Sequence, residues 1–246
     1  MTNKYTYFIA NWKMFGDLNS VNSLHKVVKF LKNFKKKNLK IIYCPPSTLI
    51  RPMSKKLKNS KIEIGAQNCH EQISYGPFTG SINCTMLKSV GARYVIIGHS
   101  ENRQSGETDK LINLKIRNAI KCGLKVIFCI GETLKEKRNK KTNMVLSKQI
   151  KMGLKSIQNK SNIIIAYEPV WSIGTGLIPK PKDLIKSISF IKKKLGKKPY
   201  KILYGGSVNS DNIKQLKNIN TIDGFLIGGA SQDPKKFIDI IKKTIN

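Results

Sequence analysis

Ile163-Ile164-Ile165-Ala166-Tyr167-Glu168-Pro169 is an unbroken apolar run of strand length that ends on a carboxylate and a proline. An apolar run without alternation marks a strand buried on both faces, as in a parallel sheet covered by helices. Short β-branched or aromatic runs of the same kind, each bounded by turn signals, lie to either side: Tyr5 to Ala10, Lys40 to Cys44, Ile62 to Ala66, Tyr94 to Ile97, Lys125 to Ile130, Lys201 to Tyr204 and Gly224 to Ile227. Amphipathic stretches with apolar residues at three-and-four spacing separate them, among them Asp17 to Leu31, Thr108 to Cys122 and Lys182 to Leu195. Asp233, followed by Pro234 in the first turn, opens the last helix. No Ser/Gly/Pro-rich linker breaks the alternation, so residues 1–246 are expected to form one α/β domain, a single (β/α)8 barrel of parallel strands surrounded by helices. An open doubly wound sheet uses the same alternation, but no G-x-G-x-x-G follows the first strand.

The 246 residues match the usual size of such a barrel, about 250. A 40% hydrophobic content is enough to fill it, and no stretch approaches the roughly 20 apolar residues needed to span a bilayer. No targeting segment is expected from residues 1–15. Cys44, Cys69, Cys84, Cys122 and Cys129 are odd in number and lack C-x-x-C or Cys/His ligand spacing, which points to reduced thiols, a cytoplasmic location and no metal site. The net charge of +32 suggests a polyanion partner, yet only five of the 46 basic residues are Arg, the better residue for bidentate phosphate and base recognition. Runs such as Phe34-Lys35-Lys36-Lys37, Ile191-Lys192-Lys193-Lys194 and Ile241-Lys242-Lys243 read as solvated helix faces. Specific nucleic-acid binding is not expected; weak, salt-sensitive binding is the alternative.

Polar or Gly-rich clusters follow nearly every strand: Asn11-Trp12-Lys13, Gln67-Asn68, Gly98-His99-Ser100-Glu101, Gly131-Glu132, Glu168-Pro169, Gly205-Gly206-Ser207 and Gly228-Gly229. In a barrel these ends converge on the face that carries the chemistry. Glycines in the last two loops let bare backbone N–H groups approach an anion, as a phosphate cradle does. Glu168 emerges from a buried run, where a general base can be desolvated and held near its target. His99 precedes a helix start at Ser100-Glu101, whose positive end favours a neutral imidazole. His25, in a Lys-rich helix, and His70, in a loop without a nearby metal partner, carry no such signal.

The segments Asn11-Trp12-Lys13-Met14, Gly98-His99-Ser100-Glu101, Cys129-Ile130-Gly131-Glu132, Ala166-Tyr167-Glu168-Pro169-Val170-Trp171, Ile173-Gly174-Thr175-Gly176, Tyr204-Gly205-Gly206-Ser207-Val208 and Gly228-Gly229-Ala230-Ser231 together resemble the triosephosphate isomerase family, in the family's order. The resemblance implies a TIM barrel that interconverts dihydroxyacetone phosphate and D-glyceraldehyde 3-phosphate through an enediolate, without a cofactor, in glycolysis and gluconeogenesis. It implies Glu168 as the proton shuttle, His99 as the group polarising the carbonyl and Lys13 as a fixed positive charge. Asn11 would position the substrate, Glu101 would orient Lys13, and Cys129 would support the site. Backbone N–H groups of Gly174, Ser207, Gly228 and Gly229 would hold the phosphate, while Ile173 and Leu226 keep water away. Pro169, Val170, Trp171, Thr175 and Gly176 would belong to a closing lid, in which Leu177 departs from a position that is often basic.

The resemblance further implies a homodimer in which the loop around Tyr75 to Gly80 enters the partner and carries Thr79 near its active site. Family members usually have Glu where this chain has Ser81 and Arg where it has Asn102, and the two positions are expected to face each other across the interface. Two rival readings remain at this stage. One is another phosphate-binding barrel isomerase or epimerase, against which Asn11, Lys13, His99 and Glu168 argue jointly; the other is a non-catalytic basic barrel that binds nucleic acid.

Overall fold

The computed structural model describes residues 6–34, 38–158, 161–196 and 200–245. Over these residues eight parallel strands close into a barrel in sequence order: β1 (Thr6–Asn11), β2 (Leu39–Cys44), β3 (Ile62–Ala66), β4 (Tyr94–Ile97), β5 (Lys125–Ile130), β6 (Ile163–Tyr167), β7 (Lys201–Tyr204) and β8 (Gly224–Ile227). The ring shuts where β1 pairs with β8, Ile9 opposite Leu226. Strands β3 to β8 keep the bounds read from the sequence, and β2 starts one residue earlier. Strand β1 runs on to Asn11; the expected start at Tyr5 and the lysines 35–37 lie outside the described residues.

The two-sided burial of β6 explains its unbroken apolar run. Ile164 and Ala166 point into the barrel with Ile9, Ile42, Tyr94, Ile96, Ile127, Leu203 and Leu226. Ile163, Ile165 and Tyr167 point outward into the layer between strands and helices. Each fully buried aliphatic side chain contributes roughly 1.5–3 kcal/mol relative to exposure, so both layers favour this register.

Around the barrel run α1 (Leu18–Ser23), α2 (His25–Asn33), α3 (Ser47–Leu57), α4 (Cys84–Ser89), α5 (Ser100–Gln104), α6 (Asp109–Lys121), α7 (Leu134–Arg138), α8 (Thr142–Gly153), α9 (Pro181–Leu195), α10 (Ile213–Lys217) and α11 (Pro234–Ile245). Thr108 caps α6 by accepting from Leu111 N at 3.2 Å, and Pro181 starts α9 where a missing N–H costs nothing. The single helix expected over residues 17–31 is instead two, broken at Leu24. Its first part is poor in strong helix formers, and Ser23 Oγ donates to Ser20 O at 2.7 Å, a side-chain bond that competes with helix continuation. Lys192, Lys193, Lys194 and Lys242 are exposed beside the buried Ile191 and Ile241, as solvated faces require. Among the described residues no helix is long and apolar enough to cross a membrane.

The expectation of five reduced thiols is corrected. Cys84 and Cys122 are joined in a disulfide, while Cys44, Cys69 and Cys129 are free and buried. The pair is made by tertiary packing: the first residue of α4 lies on the C-cap of α6 with Cα atoms 6.3 Å apart, within reach of a bridge. A sequence separation of 38 gives no local sign of it.

Candidate active site

Glu168 leaves β6 at the C-terminal end of the barrel and is buried, 2% exposed. Its backbone N–H donates to Ile130 O at 2.8 Å, which fixes it against the end of β5. One carboxylate oxygen, Oε2, accepts from Ser100 N at 3.3 Å. The other, Oε1, lies 3.3 Å from His99 Nε2 but out of hydrogen-bond alignment, and has no bonded partner. Burial pushes the carboxyl above the ordinary carboxylate range; His99, the Ser100 N–H, the Cys129 thiol and Lys13 partly oppose that rise. The Cys129 thiol is itself raised well above the usual range by burial and by the neighbouring Glu168.

His99 follows β4, and its Nδ1 accepts from Glu101 N at 3.3 Å across the first turn of α5. An accepting Nδ1 puts the proton of the neutral ring on Nε2, the nitrogen that faces Glu168. Lys13 stands after β1 in a left-handed conformation, φ 55°, unusual for a residue with a side chain. The Asn11 side chain accepts from Lys13 N at 3.1 Å, and Gln67 Nε2 donates to Lys13 O at 2.8 Å, so the strained backbone is held from two sides. Lys13 Nζ pairs with Glu101 Oε1 at 2.6 Å. Asn11, Lys13, His99 and Glu168 therefore border one cavity of about 390 Å³, walled also by Ile173, Gly174, Ser207, Leu226, Gly228 and Gly229.

The two glycine loops differ in what they do. A Cβ on Gly229 would meet nothing, and one on Gly228 only the Lys13 side chain, so this loop offers open backbone. A Cβ on Gly205 would press on Glu168 Cγ at 2.9 Å, and one on Gly206 would collide with the Tyr204 hydroxyl at 2.3 Å. Those two glycines make room for neighbouring side chains. Ser207 N donates to Ser172 Oγ at 3.3 Å and must change partner before it can bind an anion.

The segment expected to form the lid starts at the buried Pro169 and a short 3-10 turn, Val170–Ser172. Val170 N donates to Glu132 O at 3.0 Å and Trp171 Nε1 to Glu132 Oε1 at 3.1 Å, which hangs the segment on a buried carboxylate that burial holds above its usual range. Thr175 Oγ1 donates to Ser172 O at 3.1 Å, Gly174 and Gly176 have positive φ, and the tip through Leu177 is exposed.

Several contributors carry no chemical signature in the sequence. A Cβ on Gly131 would lie 1.7 Å from Glu168 O, so only glycine lets β5 and β6 deliver the carboxylate there. Trp12, fully buried, donates from Nε1 to Ser231 O at 3.2 Å, while Gln232 Nε2 donates to Trp12 O at 3.0 Å. These bonds lock the Lys13 turn to the Gly228-Gly229 loop. A glycine or tryptophan next to a strand end was the only available signal. Of the residues expected at a subunit interface, Thr79 and Ser81 are exposed, and Ser81 and Asn102 line a second groove of about 440 Å³ that shares Asn11, Lys13 and His99 with the first.

Residues 6–244 match the family model described as "Triosephosphate isomerase". A triosephosphate isomerase of Thermodesulfovibrio yellowstonii is 41% identical over 96% of this chain and 98% of its own length. That of Saccharomyces cerevisiae is 41% identical over 96% of this chain and 97% of its own. The crystal structure of triosephosphate isomerase from Bartonella henselae superposes with a TM-score of 0.89 at 34% identity, covering 98% of this chain and 99% of that one.

Proposed function

Because the chain belongs to the triosephosphate isomerase family and interconverts dihydroxyacetone phosphate and D-glyceraldehyde 3-phosphate, we propose that Glu168, His99 and Lys13 carry its chemistry. The observation that supports the assignment is that buried Glu168, whose Oε1 has no hydrogen-bond partner and lies 3.3 Å from His99 Nε2, lines the cavity that Lys13 also borders. Glu168 takes the proton from the carbon next to the carbonyl. His99 Nε2–H and the Lys13 ammonium stabilise the oxygen as it turns negative, the point at which fixed donors contribute most. His99 passes the hydroxyl proton from one enediolate oxygen to the other, and Glu168 returns the carbon-bound proton to the neighbouring carbon, which completes the isomerisation without a cofactor or metal.

Asn11 positions the substrate, Glu101 holds Lys13, and the N–H groups of Gly174, Ser207, Gly228 and Gly229 receive the phosphate. Ile173 and Leu226 exclude water, and the segment from Pro169 through Val170, Trp171, Thr175 and Gly176 closes over the enediolate. Enclosure suppresses loss of phosphate from that intermediate as well as strengthening the local fields. A coupled assay on purified protein tests the assignment. Glu168→Gln should keep the fold and lose at least ~10²-fold in turnover; near-normal activity, with host enzyme excluded, overturns it.

The working enzyme is a homodimer in this reading. Met14 is fully exposed and Tyr75 is 76% exposed, a large apolar display that a second copy would cover, and Met14 borders the groove that Ser81 and Asn102 line. Its proposed location is the cytoplasm, which cell fractionation tests.

A further inference from the structure

The loop of residues 71–83 stands with both feet on the last turn of α6. At its start, Asn118 Nδ2 of α6 donates to Glu71 O. At its end, Cys84 begins α4 and is disulfide-bonded to Cys122, the C-cap of α6. Between the feet the loop is closed on itself by few bonds. Asn83 Nδ2 donates to Ile73 O at 3.2 Å and Ser74 O at 3.1 Å, and Thr85 Oγ1 donates to Ile73 O at 3.0 Å. The same Thr85 hydroxyl lies 3.5 Å from Cys122 Sγ, so the bridge and the loop share a contact. Residues 74–81 are all exposed, with the Phe78 ring resting on His70 at 4.6 Å between centroids.

The two bridged residues are not equally exposed. Cys84 is fully buried, whereas Cys122 is half-buried and its carbonyl accepts from Lys88 Nζ at 2.8 Å, which places a cation beside it. Cys122 is therefore the residue of the pair that an external thiolate reaches from solvent.

We propose that the Cys84–Cys122 pair is a thiol–disulfide exchange site for low-molecular-weight thiols, and that its state sets the order of loop 71–83 and, through it, the strength of subunit association. The second half rests on the dimer reading above. In reduction, an external thiolate attacks Cys122 Sγ, the protein S–S bond breaks, and Cys84 leaves as a thiolate that takes up a proton. A second external thiol attacks the small-molecule sulfur of the mixed disulfide and releases Cys122. The balance is one protein disulfide plus two thiols giving one protein dithiol plus one small disulfide, and oxidation is the reverse. With the bridge broken, the second foot of the loop is held by hydrogen bonds and by the packing of Cys84 and Leu87 in the core, and the covalent tie to α6 is lost. Open states of the loop then become more populated.

The test equilibrates wild type and Cys122→Ser in buffers poised with oxidised or reduced glutathione. Alkylation after denaturation, read by mass, should trap three wild-type cysteines in the oxidised buffer and all five in the reduced one. Hydrogen exchange of amides 72–82, measured on monomer at high dilution, should quicken on reduction by about tenfold, and the dimer dissociation constant at higher concentration should rise by a similar factor. Cys122→Ser should behave as reduced in both buffers while its barrel strands keep wild-type exchange. Five alkylated cysteines in the oxidised buffer overturn the exchange site. Equal loop exchange in the two wild-type states overturns the coupling, whether or not the variant folds. A chain that stays monomeric throughout refutes the dimer and with it the proposed effect on association, while alkylation and loop exchange still decide the rest.

Discussion

Glu168 is a carboxylate that the protein buries at a cost to its own stability. Its folded pKa lies above the unfolded value because burial disfavours the charge. The sign follows from proton counting: between the two values the folded state binds more protons, so this contribution is fully present below the unfolded pKa and is lost as pH rises through the folded one. Glu168→Gln removes the penalty. That variant should therefore melt higher than wild type at pH 8, by a margin that shrinks toward pH 4; an unchanged margin would separate burial from stability here. The same shift places the acid limb of wild-type kcat/KM above an ordinary carboxylate's, with activity falling as pH drops through it. At Lys13, Lys13→Met removes the ammonium and should both raise KM and lower kcat. Unchanged kinetics would take Lys13 out of the site. The convergence of Glu168, His99 and Lys13 on one cavity was legible in the sequence because each follows an apolar strand. Gly131, Gly205 and Ser172 were not, since clearance and partner exchange exist only once the neighbouring chain is in place.

The elements that carry these residues were legible to different degrees. Strands β3 to β8 could be bounded from the sequence because two-sided burial selects short β-branched runs that end at turn residues. The break at Leu24 could not, because it depends on a local competition between serine side chains and the helix backbone. The disulfide was equally hidden, being a contact between α4 and α6. What the strand ends demand can be tested with two glycines of opposite character. Gly131→Ala drives a methyl group into Glu168 O, which forces β5 and β6 apart at the catalytic end. It should cost ~1–3 kcal/mol of stability and displace Glu168, the proposed base, enough to lose at least ~10²-fold in turnover. Gly229→Ala enters open space at the start of a short 3-10 turn and should leave the melting temperature within a degree or two, about what a few tenths of a kcal/mol gives, while raising KM where the phosphate sits. Equal melting temperatures for the two variants would mean that β5 and β6 tolerate the methyl group.

At the scale of the whole molecule, charge and association remain. A net charge of +32 on a protein with an anionic substrate should speed encounter, and the gain in kcat/KM should fade as salt shortens the screening length to ~10 Å near 0.1 M. A salt-independent kcat/KM would remove steering, and tight sequence-selective binding of DNA or RNA at physiological salt would overturn the solvated-face reading of the lysines. The dimer poses a sharper problem, because the resemblance implies an ion pair across the interface where this chain has Ser81 and Asn102. Removing one partner of a buried pair leaves an uncompensated charge and costs ~3–5 kcal/mol, whereas replacing both can be nearly neutral. The absence of both charges is therefore compatible with an intact dimer, and it makes each single reversion harmful. Ser81→Glu and Asn102→Arg should each weaken association, while the double variant recovers with a coupling of ~0.5–3 kcal/mol. A contact across a two-fold axis occurs twice, so the cycle would be felt twice per dimer. Sedimentation of the four proteins across a dilution series measures the coupling. Additive effects would mean that the positions do not meet, and a fully active wild-type monomer would refute the dimer itself.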